Sequence, residues 1–368
     1  MVTRYLSVKK LDEALAVLAQ IPIPLSVKMI PLEESAGRIT ARPVFATYSV
    51  PEVHLAAMDG IAVRSEDTLG ASEQSPVTLP DATRINTGNV VPGEYDAVIM
   101  IEDVWVEGTT YTIRKPTSPW QHVRPAGEDI AESEMVVPSS HRIRPSDIGA
   151  LAAYGVTEMP VLGFRAGLIP TGSELVLPGT KPGPGQVVES NTRMAASWLT
   201  SLGGECTRYP LTPDQPDVIR GIVQKAAKEN DLVIISAGSS AGTKDYTADV
   251  IAELGEVLVH GVAIKPGKPV ILGKIGNIPV LGMPGYPLSA LTVLREIATP
   301  LVRISGIPVP EPGIISARLT STLHSDAGTD EFVLLSVGRI GPSWVATPLS
   351  RGSGVQMSAV RSNAYLRI

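Results

Sequence analysis

Between residues 165 and 304 the sequence alternates apolar strand-like runs with amphipathic stretches, and no other feature limits the possible folds as tightly. Strand candidates fall at 166–170, 231–236, 257–264 and 278–282, and helix candidates at 191–202, 216–229, 247–254 and 287–303. In the helix candidate at 216–229, Val218, Ile219, Ile222, Val223 and Ala226 form one apolar stripe, which Asn230 closes before the next strand. Such alternation predicts a doubly wound α/β domain with a parallel sheet, whose ligands bind beyond the carboxyl ends of the strands.

The flanking regions read differently. Residues 7–20 place Val8, Leu11, Ala14, Leu15 and Leu18 at helical spacing behind Ser7 as the cap, with Pro22 ending the helix. From about 45 to 137, short apolar runs punctuated by Gly and Pro predict a mostly β module. Residues 145–155 read as one further helix; pairing it with the opening helix would make the β module an insertion. The segment 306–368 opens with IPVPEPG and carries period-two stretches at 331–337 and 343–347, as a small C-terminal β domain on a Pro-rich linker would. At 368 residues the chain exceeds one core. The expected division is a helical linking domain (1–44 plus 138–164), an inserted β domain (45–137), the α/β domain (165–304) and the C-terminal β domain (305–368).

Composition narrows the function. A net charge of -6 argues against a nucleic-acid or anionic-membrane binder, and sparse aromatics (4%) argue against base-stacking platforms. The single cysteine, Cys206, forms no internal disulfide, and His54, His122, His141, His260 and His324 lack metal-ligand spacing, so any metal is expected on oxygen. With neither a membrane-length apolar run nor a signal-like amino terminus, a cytoplasmic location is expected.

The chemistry is expected in three loops that follow strands: Thr171, Gly172, Ser173 and Glu174; SAGSSAGTKD at 236–245; and MPGYP at 283–287. In 236–245, Gly238 and Gly242 allow close backbone approach, while Ser236, Ser239, Ser240 and Thr243 add hydroxyls suited to phosphate or another oxyanion. Asp245 suits a magnesium ion bridging to phosphate oxygens, and equally a turn cap. IKPGKP (264–269) puts Lys265 and Lys268 on a sharp turn, which alone reads as a solvated connection but beside the Gly-rich loop favours a polyanion. The helix launched by MPGYP offers its positive end to an anion, and Ser289 in its first turn either donates to that anion or caps backbone. Asp59 in MDGIAV and Thr87 in INTGNVVPGEY read as ordinary turn residues.

These segments, together with VRPAGEDI (123–130), IPTGSELV (169–176), PGQVVESN (184–191) and MPGYPLSA (283–290), resemble the MoeA family of molybdopterin molybdenumtransferases, related to the E domain of gephyrin. The resemblance covers nearly the whole chain. It implies an L-shaped homodimer of four-domain chains whose α/β domain is like the pterin-binding MogA fold. It implies an enzyme that cleaves adenylylated molybdopterin, releases AMP and inserts molybdate or tungstate with divalent metal help, its partner protein a MogA-type adenylyltransferase. It implies catalytic roles for Asp59, Glu174, Asp245, Lys265 and Lys268, with magnesium on Asp59 or Asp245. Pterin and oxyanion contacts are implied for Thr87, Thr171, Gly172, Asp214, Ser236, Gly238, Ser239, Ser240, Gly242, Pro284, Gly285 and Ser289, with both halves of the site meeting across the dimer. AGSSAG replaces the family's GGVSVG, Tyr286 replaces the Asn of PGNP, and Thr329 and Leu334 stand where oxyanion-binding arginines are usual. These departures keep a noncatalytic pterin-binding or scaffold protein as the alternative. The chain ends at RSNAYLRI where relatives continue, so a shortened chain or a missing further domain is expected.

Overall fold

The computed structural model describes residues 8–237 and 246–368. The chain divides into two compact units, Met1–Lys28 with Leu162–Ile368, and Met29–Val161. In the first unit, strands Glu158–Pro170, Leu232–Ala237 and Ile278–Pro284 lie parallel in that order, with Gly204–Arg208 parallel to the first on its other side. The expected parallel sheet also carries an antiparallel edge, formed by Ile271–Ile275 and Glu256–His260. A short Gly276-containing turn joins Ile271–Ile275 to Ile278–Pro284, too brief a connection for a helical crossover, so the pair must run antiparallel.

One face of this sheet presents Ile169, Val233, Ile235 and Val280 to Ile219 and Val223 of helix Pro216–Glu229 and to Val250 and Ile251 of helix Tyr246–Leu254. The alternate residues Leu168, Ile234 and Leu281 are equally buried, as expected of parallel strands covered on both faces. The predicted 287–303 helix is interrupted: Pro287–Val293 and Thr299–Ile304 flank a π turn at Leu294–Ala298. Pro300 has no N–H for the Glu296 carbonyl four residues back, and just before it the Thr299 N–H and hydroxyl (2.9 Å) both donate to the Leu294 carbonyl, five residues back.

At the starting end of the strands, Asp231 accepts three bonds from Arg165, one from its backbone N–H (2.8 Å) and two from its guanidinium. Burial alone would raise the Asp231 carboxyl, but these bonds outweigh it and hold the group below the usual carboxylate range. Nearby, burial pushes the Tyr209 phenol up to about 12, keeping it a donor to Glu229 (2.7 Å). Downstream, Asp330–Ile340 forms a sheet with Ser343–Pro348 and Ala364–Arg367 around Val333, Leu335 and Ala346, and Ile264–Lys265 adds to it in parallel.

The opening helix spans Leu11–Leu18 and buries Leu11, Ala14 and Leu18. The Glu13 carboxylate accepts the Lys10 N–H at its start (3.3 Å); the expected cap, Ser7, lies outside the described residues. It packs on Thr299–Ile304, whereas the helix at Pro145–Ala153 belongs to the other unit and packs on Leu32–Glu34 and Met135–Val137. Each of the two helices thus has partners within its own unit.

The second unit has short strands. Gly60–Val63 runs between Thr83–Ile85 and Ala97–Met100, and its alternating side chains enter two apolar clusters, Ala62 with Val98 and Ile61 with Ile99. A Cβ on Gly60 would stand 1.9 Å from the Ile99 carbonyl oxygen, so only glycine permits this pairing. Helix Pro145–Ala153 starts on Asp147, which accepts the Arg144 N–H (2.8 Å) and guanidinium (2.7 Å) and meets His141 Nε2 at 2.6 Å. Hydrogen bonds from Arg144 hold this buried carboxyl far below its ordinary range despite the opposing cost of burial. Among the described residues, no helix is long and apolar enough to cross a membrane.

Candidate active site

The carboxyl ends of the parallel strands come together as the topology requires. Ser236 pairs with Pro170 on one side and Met283 on the other, so the strand ends at Pro170, Ala237 and Pro284 lie side by side. The Thr171 N–H donates to the Ser236 carbonyl (2.9 Å), and the Gly172 N–H donates to the Thr212 carbonyl (3.0 Å). Beyond them, Ser173 and Asp214 exchange bonds: the Ser173 N–H reaches the Asp214 carboxylate and the Asp214 N–H reaches Ser173 Oγ, both at 3.2 Å. Gly172 takes φ +150°, and Glu174 folds back so that a Cβ on Gly172 would stand 2.8 Å from its carboxylate oxygen. The expected residues Thr171, Gly172, Glu174, Asp214, Ser236, Pro284 and Gly285 thus share one rim.

Asn191, to which the sequence reading gave no role, links two of these loops. Its side-chain amide donates to the Gly285 carbonyl at 2.8 Å and lies 3.5 Å from Ser236 Oγ, and its Oδ1 is buried without a partner among the described residues. Asn191 starts helix Asn191–Ser201, and its position at the end of PGQVVESN was the available signal.

The lysine turn meets the same rim through the helix that follows Gly285. A Cβ on Gly267, at φ +121°, would stand 3.5 Å from the Ser289 carbonyl. Lys268 is exposed, while Lys265 Nζ contacts Asp326 (3.3 Å) and Glu331 (3.7 Å). The helix start differs from expectation. The Leu288 N–H donates to the Ser353 carbonyl (3.0 Å), so this donor is already satisfied, and Ser289 is buried. Tyr286 is 63% exposed and neighbours Gly354.

In the second unit, two turns that look unrelated in sequence are one structure. Asp59 precedes the buried strand Gly60–Val63, and its Oδ1 accepts the Thr87 N–H at 2.7 Å. That backbone bond, then the Thr87 hydroxyl, lowers the Asp59 carboxyl from its ordinary value, leaving an exposed carboxylate ionised at neutral pH. The Gly88 N–H on the Ala56 carbonyl (2.8 Å) and the Ala56 N–H on the Asn89 carbonyl (2.9 Å) fix the two turns against each other.

Gly238, Ser239, Ser240, Gly242 and Asp245 lie outside the described residues. Among the described residues no three or more His, Cys, Asp or Glu side chains gather to hold a metal ion. Asp59 nonetheless has the right chemistry for magnesium, which takes one or two carboxylates and completes its shell with water and phosphate oxygen.

Comparison with known proteins covers the whole of this geometry. Residues 9–155 match the family model described as MoeA N-terminal region (domain I and II), residues 167–304 the "Probable molybdopterin binding domain", and residues 316–368 the MoeA C-terminal region (domain IV). Molybdopterin molybdenumtransferase 2 of Mycobacterium tuberculosis is 34% identical over 332 residues, 82% of this chain and 81% of that protein. The molybdopterin molybdenumtransferase of Haemophilus influenzae is 32% identical over 376 residues, 97% and 93% of the two chains. A crystal structure of the molybdopterin biosynthesis MoeA protein from Pyrococcus horikosii superposes with a TM-score of 0.84 at 34% identity, covering 98% of this chain and 95% of that one.

Proposed function

The chain belongs to the MoeA family of molybdopterin molybdenumtransferases, enzymes of molybdenum cofactor biosynthesis, and from that premise we propose that it inserts molybdate into adenylylated molybdopterin with release of AMP. The observation that carries this reading is the shared rim: Thr171, Gly172, Asp214, Ser236 and Gly285 lie at adjoining strand ends, with the Lys265–Lys268 turn packed on the helix that leaves them. Both reagents are anions, so Lys265 and Lys268 hold charge while the loop amides and hydroxyls orient the pterin nucleotide. Glu174, beside Gly172, orders the water or the phosphate linkage at the same place. Magnesium, held by Asp59 or by Asp245, would neutralise charge on the departing phosphate. Two copies of the chain form the working enzyme, and a MogA-type adenylyltransferase supplies its substrate.

Incubating the purified protein with adenylylated molybdopterin, magnesium and molybdate tests the proposal by AMP release. AMP formation that depends on both magnesium and molybdate is the expected result; release no greater than a metal-free blank would reject it. A noncatalytic pterin-binding role is the second reading, favoured by Tyr286, Thr329 and Leu334 and by the Ser353 carbonyl already on the Leu288 N–H. Under that reading the parent protein is inert and Leu334→Arg with Tyr286→Asn restores turnover, whereas an active parent eliminates it.

A further inference from the structure

Glu331 is 2% exposed and lies on the strand Asp330–Ile340, and its carboxylate accepts a hydrogen bond from Arg351 Nη1 (3.0 Å), while its Oε2, buried without a hydrogen-bond partner among the described residues, faces Lys265 Nζ at the ion-pair distance of 3.7 Å. The backbone sets this arrangement: Lys265 stands directly opposite Glu331 where Ile264–Lys265 pairs with the longer strand, and the Asp330 N–H donates to the Ala263 carbonyl (2.8 Å). On its other side Glu331 exchanges backbone bonds with Ile368, at 3.0 and 2.9 Å. The second acidic neighbour of Lys265, Asp326, is 84% exposed, so water or an incoming anion can replace it. Glu331 has no such access to water.

Arg351 extends the connection. Its guanidinium also donates to the His324 carbonyl (2.8 Å), and two residues later Ser353 accepts the Leu288 N–H at the helix start. One buried carboxylate therefore serves both the lysine turn and the loop that closes on the rim helix. We propose that Glu331 is a positioning residue, which touches no substrate but fixes the Lys265 ammonium in the direction from which it meets the anion. A lysine head on a four-carbon stem is otherwise free to spread over many rotamers, and a buried carboxylate is sustained only by well-placed cations. The proposal rests on the reading above, in which Lys265 holds the substrate's charge.

The test uses Glu331→Gln in the full chain, which keeps the shape and removes the charge. The turnover of AMP release is expected to fall about 10-fold or more, while KM for adenylylated molybdopterin moves less than about 3-fold, because misplacement of a charged group costs the transition state more than binding. In a Lys265→Met background the same substitution is expected to cost under about 2-fold. Equal losses in both backgrounds would overturn the proposal, since they would mark a purely structural effect. Should Glu331→Gln fail to fold, judged by its melting curve, Glu331→Asp is put through the same cycle with the same two outcomes. A wild-type protein without AMP release would defeat the proposed function, not this one. Acetic anhydride labelling of Lys265, followed by peptide mass spectrometry, then decides: labelling at least about 3-fold faster in Glu331→Gln supports the anchor, because a side chain held against Glu331 meets the reagent less often than one free to swing into solvent, and equal rates refute it.

Discussion

The rim of the mixed sheet and the turn that carries Asp59 solve opposite problems. At the rim Thr171, Ser236 and Asn191 are buried, and they spend their donors on one another and on strand carbonyls. Asp59 stands at the surface, ionised, steadied mainly by one backbone amide. The first arrangement fixes the shape of the strand ends; the second keeps a charged group available. Substitutions in the two regions should therefore separate stability from chemistry.

The largest effect expected is on activity at the exposed turn. Asp59→Ala should reduce AMP release by roughly 100-fold or more, with the melting temperature within about 2 °C of the parent; a comparable loss of stability would erase the contrast. At the rim the balance reverses. Asn191→Leu removes the amide that joins Ser236 to Gly285 and should cost about 2 to 3 kcal/mol in urea unfolding. A stable Asn191→Leu protein would mean that the rim holds its shape without this link.

Asp147 sharpens the comparison within the second unit, because it is a carboxylate of the buried kind. Its folded value lies below its unfolded one, so the stability it contributes is fully present above the unfolded value of about 3.9 and is lost as pH falls through that value toward the folded one. Urea midpoints measured between pH 6 and pH 2 should show this loss, on the order of 2 kcal/mol, and Asp147→Asn should flatten it. The smallest effect is expected at Gly172, where Gly172→Ala must adopt φ +150° and displace the end of the Glu174 side chain, costing about 1 kcal/mol. An unchanged or higher urea midpoint would show that Glu174 yields freely.

The parts of the fold that could be read from the sequence are those with a strong period. The stripe in Pro216–Glu229 buries Ile219, Val223 and Ala226 as its spacing requires, and the apolar strands at 231–236 and 278–282 lie at the centre of the sheet. Gly204–Arg208 and Ile271–Ile275 went unread because GECTR is polar and ILGKI carries a glycine and a lysine, so neither shows an apolar run or clean alternation. The π turn was hidden because it follows from Pro300 acting on an otherwise regular stripe.

Site residues divide on the same grounds. Thr171, Gly172 and Ser236 follow strands, so a topological rule finds them, whereas Asn191 and Glu331 act through partners far along the chain. The Asp59–Thr87 bond joins residues 28 positions apart, which no local pattern can signal.

The bond from the Leu288 amide to the Ser353 carbonyl has a consequence for charge. A helix start attracts an anion in proportion to its unengaged amides, and here the C-terminal loop has already taken one. The Leu288 amide, held by the Ser353 carbonyl, is therefore not among those this helix start can offer to a passing oxyanion.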